Sequence, residues 1–137
     1  MATLDLQTIH YINLFDNVTK VKTRKCFNYN NMIVFAVPRA LVARAIGPGA
    51  SHIHNIQEKL GKKIRVVEEA LVPEQAERFI KDIVAPVGFH TLEIKEGSFV
   101  LAAGSQSKAA LIGRNRRREA ELQQIVKDTF GMDLKIV

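Results

Sequence analysis

Two short glycine breaks are the parts of this sequence whose residue types and spacing could do chemistry. The first is Gly47-Pro48-Gly49, and an altered second copy begins at Gly113. Each break interrupts an apolar helical run, and the pattern predicts that a new helix begins just after it. Glycine permits a positive φ and lets a ligand approach the main chain, while a helix start offers unpaired N–H groups and the positive end of its dipole. This combination predicts a backbone cradle for phosphate groups.

Basic charge is concentrated around the two breaks. The chain of 137 residues has a formal net charge of +6, and Lys and Arg outnumber Asp and Glu most strongly in residues 17–69 and 98–137, each of which contains one break. Four arginines follow the second glycine: Arg114, Arg116, Arg117 and Arg118. Positive charge at the positive end of a helix dipole is unfavourable, and an anion would relieve that cost. The pattern favours a polyanion as partner over a merely solvated face.

The composition and the motifs exclude several classes of function. Cys26 is the only cysteine, which excludes an internal disulfide and a multi-cysteine zinc site. His52 and His54 are two residues apart on a predicted helix, so they cannot share a metal ion as histidines four residues apart can. The sequence has no carboxylate pair, nucleophile elbow, complete Walker loop or HExxH, so we expect neither catalysis nor a cofactor. Without a membrane span or a signal-peptide pattern, we expect a cytoplasmic protein.

The hydrophobic periodicity predicts an internal repeat of helix, strand, strand, helix, glycine break, helix and strand. In the first copy, a helix over about residues 3–15 precedes strands at 19–28, 32–37 and 63–68. In the second copy, a helix opened by Pro73 precedes strands at 89–95 and 99–103 and a last strand from Met132. We therefore expect an α+β fold of two domains, residues 1–70 and 71–137, each a three-stranded sheet with helices packed on one face.

The runs around the two breaks resemble a tandem pair of K-homology (KH) domains of type II topology. They are ALVARAIGPGASHIHNIQEKLGKKIRVVE and AALIGRNRRREAELQQIVKDTFGMDLKIV. More narrowly, nearly the whole chain is similar to the short archaeal NusA-like transcription termination/antitermination factors. The family pattern is Ile-Gly-x-x-Gly-x-x-Ile, whose loop clamps about four nucleotides by their backbone. The resemblance implies binding of single-stranded RNA in transcription, without catalysis and with RNA polymerase as a further partner.

The first break follows the family pattern with one change. Ile46, Gly47 and Ile53 match, whereas Ala50 takes the second glycine position. Bases would bind in an apolar groove beside the loop, with Ile46 and Ile53 in its wall, and the basic residues near the sheet edge would line that groove. The candidate RNA contacts of this copy are Ile46, Gly47, Pro48, Gly49, Ala50, Ser51, His52, Arg39, Arg44, Lys62, Lys63 and Arg65.

The second break departs further from the pattern. Arg116 takes the second glycine position, and Glu119 takes the final apolar position. The side chain of Arg116 either blocks the approach of a phosphate to the backbone or replaces it with a direct arginine-to-phosphate contact. The sequence leaves both readings open. The candidate RNA contacts of this copy are Lys108, Gly113, Arg114, Asn115, Arg116 and Arg117.

A protein-interaction role is the alternative function. Degenerate KH units would then dock on RNA polymerase or the ribosome, and RNA contact would be incidental. The substitutions at Arg116 and Glu119 favour this reading for the second copy. Within the RNA-binding class, ribosome assembly is an alternative to termination or antitermination of transcription.

Overall fold

The computed structural model describes residues 6–23 and 25–137, which fall into two compact units. One unit ends at Glu69, and the other runs from Ala70 to Val137. Each unit contains a three-stranded sheet, and the order of helices and strands is the same in both. The predicted start of the first helix, at residues 3–5, lies outside the described residues.

The first unit is built around a central apolar strand. Its elements are helix α1 (Leu6–Thr19), strands β1 (Lys25–Tyr29) and β2 (Met32–Val37), helices α2 (Val42–Ile46) and α3 (Ser51–Leu60), and strand β3 (Lys63–Glu68). The strand β2 is antiparallel to β1 and parallel to β3. All six residues of β2 are buried, which explains its unbroken apolar sequence. The rings of Phe15 in α1 and Phe35 in β2 stack with their centroids 4.3 Å apart.

The start of the first hairpin differs from the sequence-based prediction. Strand β1 begins at Lys25, whereas the β-branched run predicted a strand from residue 19. Thr19 instead ends α1, and its hydroxyl donates to the carbonyl of Phe15 at 2.7 Å. The hydroxyl of Thr23 donates to the carbonyl of Ala36 at 2.6 Å. The side chains of these threonines therefore bond to backbone carbonyls. Such side-chain bonds compete with the backbone hydrogen bonds of a strand.

The second unit repeats this arrangement with a longer final helix. Its elements are helix α4 (Ala76–Val84), strands β4 (Thr91–Lys95) and β5 (Ser98–Ala102), helices α5 (Ser105–Ile112) and α6 (Arg117–Phe130), and strand β6 (Asp133–Ile136). The central strand β5 is antiparallel to β4 and parallel to β6. The ring of Phe130 meets those of Phe79 and Phe99 edge-on, with centroids 6.0 and 5.4 Å apart. The predicted fold class of two three-stranded α+β units is confirmed.

Two further observations concern the described residues as a whole. Across residues 6–23 and 25–137, no helix is long and apolar enough to cross a membrane. The same residues contain no cluster of three or more His, Cys, Asp and Glu side chains that could hold a metal ion. Cys26 is a half-buried cysteine on β1 that is not in a disulfide.

Candidate nucleic-acid interface

The residue that opens each loop must be glycine. In the first loop (residues 47–50), Gly47 has φ 80° and ψ 164°, and in the second loop (residues 113–116), Gly113 has φ 74° and ψ 175°. Only glycine adopts this region readily. A Cβ atom at Gly47 would lie 2.8 Å from Cγ of His52, and one at Gly113 would lie 2.8 Å from Cγ of Arg118. Both the backbone conformation and the packing therefore demand glycine here.

Each loop closes with two successive left-handed residues. They are Gly49 (φ 59°) and Ala50 (φ 60°) in the first loop, and Asn115 (φ 56°) and Arg116 (φ 59°) in the second. For residues other than glycine this conformation costs about 1–2 kcal/mol, and Asn accepts it most readily. The two loops thus share one backbone conformation although their sequences differ.

A helix begins directly after each loop. The residues before these helices, Ala50 and Arg116, belong to the described part of the chain and make no side-chain hydrogen bond that caps the helix. The N–H of Ser51, the first residue of α3, donates to the carbonyl of Pro48, and that of Arg117, the first residue of α6, donates to the carbonyl of Arg114. The following N–H groups of the first helical turn carry the positive end of the dipole. Each loop therefore ends at a helix start that suits an anion.

A side chain from the second helix holds the end of the first helix in both units. The Nδ1 atom of His52 lies 3.0 Å from the carbonyl oxygen of Arg44, and Nη1 of Arg118 donates to the carbonyl of Ala110 at 3.1 Å. Pro48, four residues after Arg44, has no N–H for that carbonyl. Because a carbonyl only accepts, Nδ1 carries the proton in this hydrogen bond. His52 and Arg118 therefore fix the geometry of the loops, a role that sequence analysis missed for Arg118.

The second loop carries an ion pair. The Nε atom of Arg116 donates to Oε1 of Glu119 at 2.8 Å, and its Nη2 lies 3.5 Å from Oε2. The side chain of Glu119 is 12% exposed and that of Arg116 is 73% exposed. The hydrogen bond to Glu119, and then the attraction of its charge, raise the pKa of Arg116 above its ordinary value. The guanidinium is therefore charged throughout the neutral pH range.

The other loop-side candidates lie on the helices that flank the breaks. Arg39 is exposed in the short turn that precedes α2, and Arg44 is exposed on α2 itself. Ile46 is the last residue of α2, and Ser51 is the first of α3. Lys108 is half-buried on α5. These positions surround the two loops along the chain, with Arg39 and Arg44 open to solvent.

The basic residues near β3 take up a different position from the loop residues. Lys62 is exposed between α3 and β3. On β3, Ile64 belongs to the core beneath the helices and Val66 packs against it. Because side chains alternate along a strand, Lys63 and Arg65 lie on the opposite face of the sheet from those helices. The structure therefore does not bring Lys63 and Arg65 to the helix-covered face.

A groove of about 530 Å³ runs between α6 and β6. Its lining residues are Ala120, Gln123, Gln124, Lys127, Asp133, Leu134 and Lys135. Nε2 of Gln123 donates to the carbonyl of Leu134 at 3.1 Å, and Nζ of Lys127 lies 3.4 Å from a carboxylate oxygen of Asp133. Sequence analysis missed this groove because the spacing of its α6 residues is also that of an ordinary solvated helix face. The lining of the groove is polar and apolar in nearly equal parts.

The repeated sheets and the repeated loops define the class of this protein, which has two tandem KH domains. The KH domain family matches residues 32–81, from β2 into α4 and including the first loop. Among its relatives, the probable transcription termination protein NusA of Halococcus morrhuae is 26% identical over 135 residues, covering 96% of this chain and 95% of the relative. The protein of the same description from Methanocaldococcus jannaschii is 27% identical, covering 100% of this chain and 77% of the relative.

A solved structure is similar over the full length of the chain. It is described as the crystal structure of APE1850, and it matches with a TM-score of 0.68 and 27% sequence identity over 98% of this chain and 100% of that one. Together with the KH match and the relatives from two archaea, this similarity supports a NusA-like KH protein.

Proposed function

We propose that this protein binds single-stranded RNA through its two glycine loops and acts as a transcription termination or antitermination factor. The observation that carries the proposal is the shared conformation of the loops, in which Gly47 and Gly113 have nearly the same φ and ψ values. In each loop a positive-φ glycine is followed by two left-handed residues and a helix start. The N–H groups of Gly47, Ala50 and Ser51 donate to carbonyls within the first loop and its flanking helix. A phosphate therefore binds at the next N–H groups of the first helical turn, where the helix dipole is positive.

The charge distribution supports a nucleic-acid ligand over a small anion. The net charge is +6, and exposed arginines lie close to the loops along the chain, namely Arg39, Arg44, Arg114 and Arg117. Phosphate contacts of this kind position an RNA backbone without reading its sequence. We infer that the loops bind the backbone of the RNA.

The groove between α6 and β6 supports contact with bases in the second domain. Gln124 and Lys127 line it together with Lys135, so amide and ammonium groups face the space that bases would occupy. Such groups hydrogen-bond the edges of unpaired bases, which is how most sequence-specific RNA recognition works. The isolated tyrosines, Tyr11 and Tyr29, are buried, so we propose no aromatic stacking.

The place in transcription is inferred from the relatives. Proteins described as probable transcription termination protein NusA are similar to this chain along most of its length. We propose the same process for this protein, in the cytoplasm, with nascent RNA as ligand and RNA polymerase as partner. Catalysis forms no part of the proposal.

The test exploits the one loop glycine that tolerates a side chain. Gly49 has φ 59° and nothing within 4 Å of a Cβ atom, and Asn115 holds the corresponding position of the second loop. Gly49→Asn therefore keeps the conformation, and Gly49→Asp adds only a negative charge to it. In fluorescence anisotropy with short single-stranded RNA, we expect Gly49→Asp to bind about tenfold more weakly than Gly49→Asn, since a carboxylate repels the phosphate.

Two outcomes would contradict the proposal. Equal affinities of the folded Gly49→Asp and Gly49→Asn variants would overturn the role of the first loop. Absence of RNA binding by the wild-type protein, combined with nuclease-resistant binding to purified RNA polymerase, would favour a protein-interaction role instead. Crosslinking of the protein to nascent transcripts in cells then tests the process, because ribosomal RNA as the main product would indicate ribosome assembly.

A further inference from the structure

The two domains place different side chains on the same backbone positions. Where the first loop ends in Ala50 and continues to Ile53, the second loop ends in Arg116 and continues to Glu119. Ala50 and Arg116 are both left-handed, with φ values of 60° and 59°. Ile53 is a half-buried apolar residue of α3, and Glu119 is a buried acid of α6. The second domain therefore has an ion pair where the first has an apolar side chain, although the loop backbone is the same in both.

The geometry of the ion pair leaves part of the guanidinium free to bind. Glu119 accepts from the edge formed by Nε and Nη2 of Arg116. A guanidinium has five N–H groups in one plane, so this pairing leaves the edge formed by Nη1 and the second N–H of Nη2. That edge matches two oxygens of a phosphate group.

The positions of the two side chains fix which of them a ligand meets first. The side chain of Glu119 is 12% exposed, whereas that of Arg116 is 73% exposed. An anion that approaches from solvent therefore meets the guanidinium, with the carboxylate behind it. Because the pairing already orders a long flexible side chain, less rotamer entropy is lost when Arg116 binds.

We propose that in the second domain the guanidinium of Arg116 binds an RNA phosphate, and that Glu119 is the positioning residue that holds it for this contact. The inference rests on the proposed function and names the chemistry of its second loop. The first loop binds phosphate through main-chain N–H groups. The second loop binds it through a side chain at the corresponding helix start. Of the two interpretations of Arg116 that the sequence leaves open, we therefore favour direct contact.

The test is whether one substitution that removes a negative charge strengthens or weakens RNA binding. Glu119→Gln removes a negative charge, and charge counting alone predicts tighter binding to a polyanion. If Glu119 positions Arg116, the variant binds RNA more weakly, by about tenfold, because Gln offers a donor where Nη2 needs an acceptor. The measurement is anisotropy with single-stranded RNA, on the wild-type background and on Gly49→Asp, where the second loop carries more of the binding.

Asp128→Asn is the matched control. It removes the same charge from the same helix, and its amide oxygen still accepts from Gln124, whose Nε2 lies 2.8 Å from Oδ1 of Asp128. We expect this control to bind RNA as well as the wild type or slightly better. Glu119→Ile is the second variant, chosen to match Ile53 of the first domain, and it keeps the helix apolar there if Glu119→Gln folds poorly.

A double-mutant cycle with Arg116→Ala separates positioning from a general structural effect. The loss caused by Glu119→Gln must disappear when Arg116 is already alanine. Tighter binding by Glu119→Gln, or an equal loss with and without Arg116, would overturn the inference while leaving the proposed function in place. A wild-type protein that binds no RNA would overturn both.

Discussion

The imidazole of His52 in α3 bonds to the carbonyl oxygen of Arg44 in α2, with Nδ1 and the oxygen 3.0 Å apart. The bond crosses the first glycine loop and replaces the N–H that Pro48 lacks. It also brings the ring against Gly47, where a Cβ atom would collide with it. One side chain therefore joins the two helices and makes glycine necessary between them.

Loss of this bond is expected to destabilise the first domain. His52→Ala should lower the free energy of unfolding by about 0.5–1.5 kcal/mol, the usual net value of a hydrogen bond, since the carbonyl of Arg44 loses its partner. Chemical denaturation followed by circular dichroism measures the change. The control is His54→Ala, an exposed residue of the same helix, which should change stability by less. Equal effects of the two substitutions would contradict this role of His52.

The glycines of the loops are expected to differ in their tolerance of substitution. Gly47→Ala and Gly113→Ala should each cost about 1–3 kcal/mol, because their φ and ψ values are nearly restricted to glycine. Gly49→Asn should be nearly neutral, because Asn115 adopts that conformation in the second loop.

Combining variants separates the two causes of this cost. The cost of Gly47→Ala should fall, but not vanish, when His52 is also alanine, since the collision is removed and the backbone strain remains. A measured cost for Gly49→Asn as large as that for Gly47→Ala would show that the loop conformation is wrongly described.

The salt dependence of RNA binding is expected to report the number of phosphate contacts. Each neutralised phosphate contributes about −0.7 to the slope of log K against log salt concentration for a single strand. Arg114→Ala should make the slope shallower by about 0.7 if Arg114 contacts one phosphate. Arg78→Ala, which removes an equal charge from α4 next to Asp82, should leave the slope unchanged. Equal slopes for the wild type and Arg114→Ala would exclude this contact.

Local patterns in the sequence were enough to predict most elements. Strands β2 and β3 have the predicted bounds, residues 32–37 and 63–68, because an apolar run and a strict alternation depend only on neighbouring residues. The positions of Gly47 and Gly113 likewise identified the loops, since few residue types accept such a turn. The internal repeat followed from these local signals.

Side-chain partners across turns were decided by the tertiary structure. The sequence pattern predicted Thr19 and Thr23 to be strand residues. Their hydroxyls instead bond to carbonyls of the folded helix and hairpin. The groove between α6 and β6 exists only because the chain returns to place that strand beside the helix. A local sequence pattern does not show which residues from distant parts of the chain become neighbours in the fold.

By itself the sequence determined that this protein has two glycine loops within basic, KH-like repeats. Only the tertiary structure shows how the departures from the family pattern are arranged. Arg116, in the left-handed region at φ 59°, pairs with Glu119 three residues further along, across the start of α6. The pairing depends on the φ and ψ values of the main chain, which residue identity restricts but does not specify.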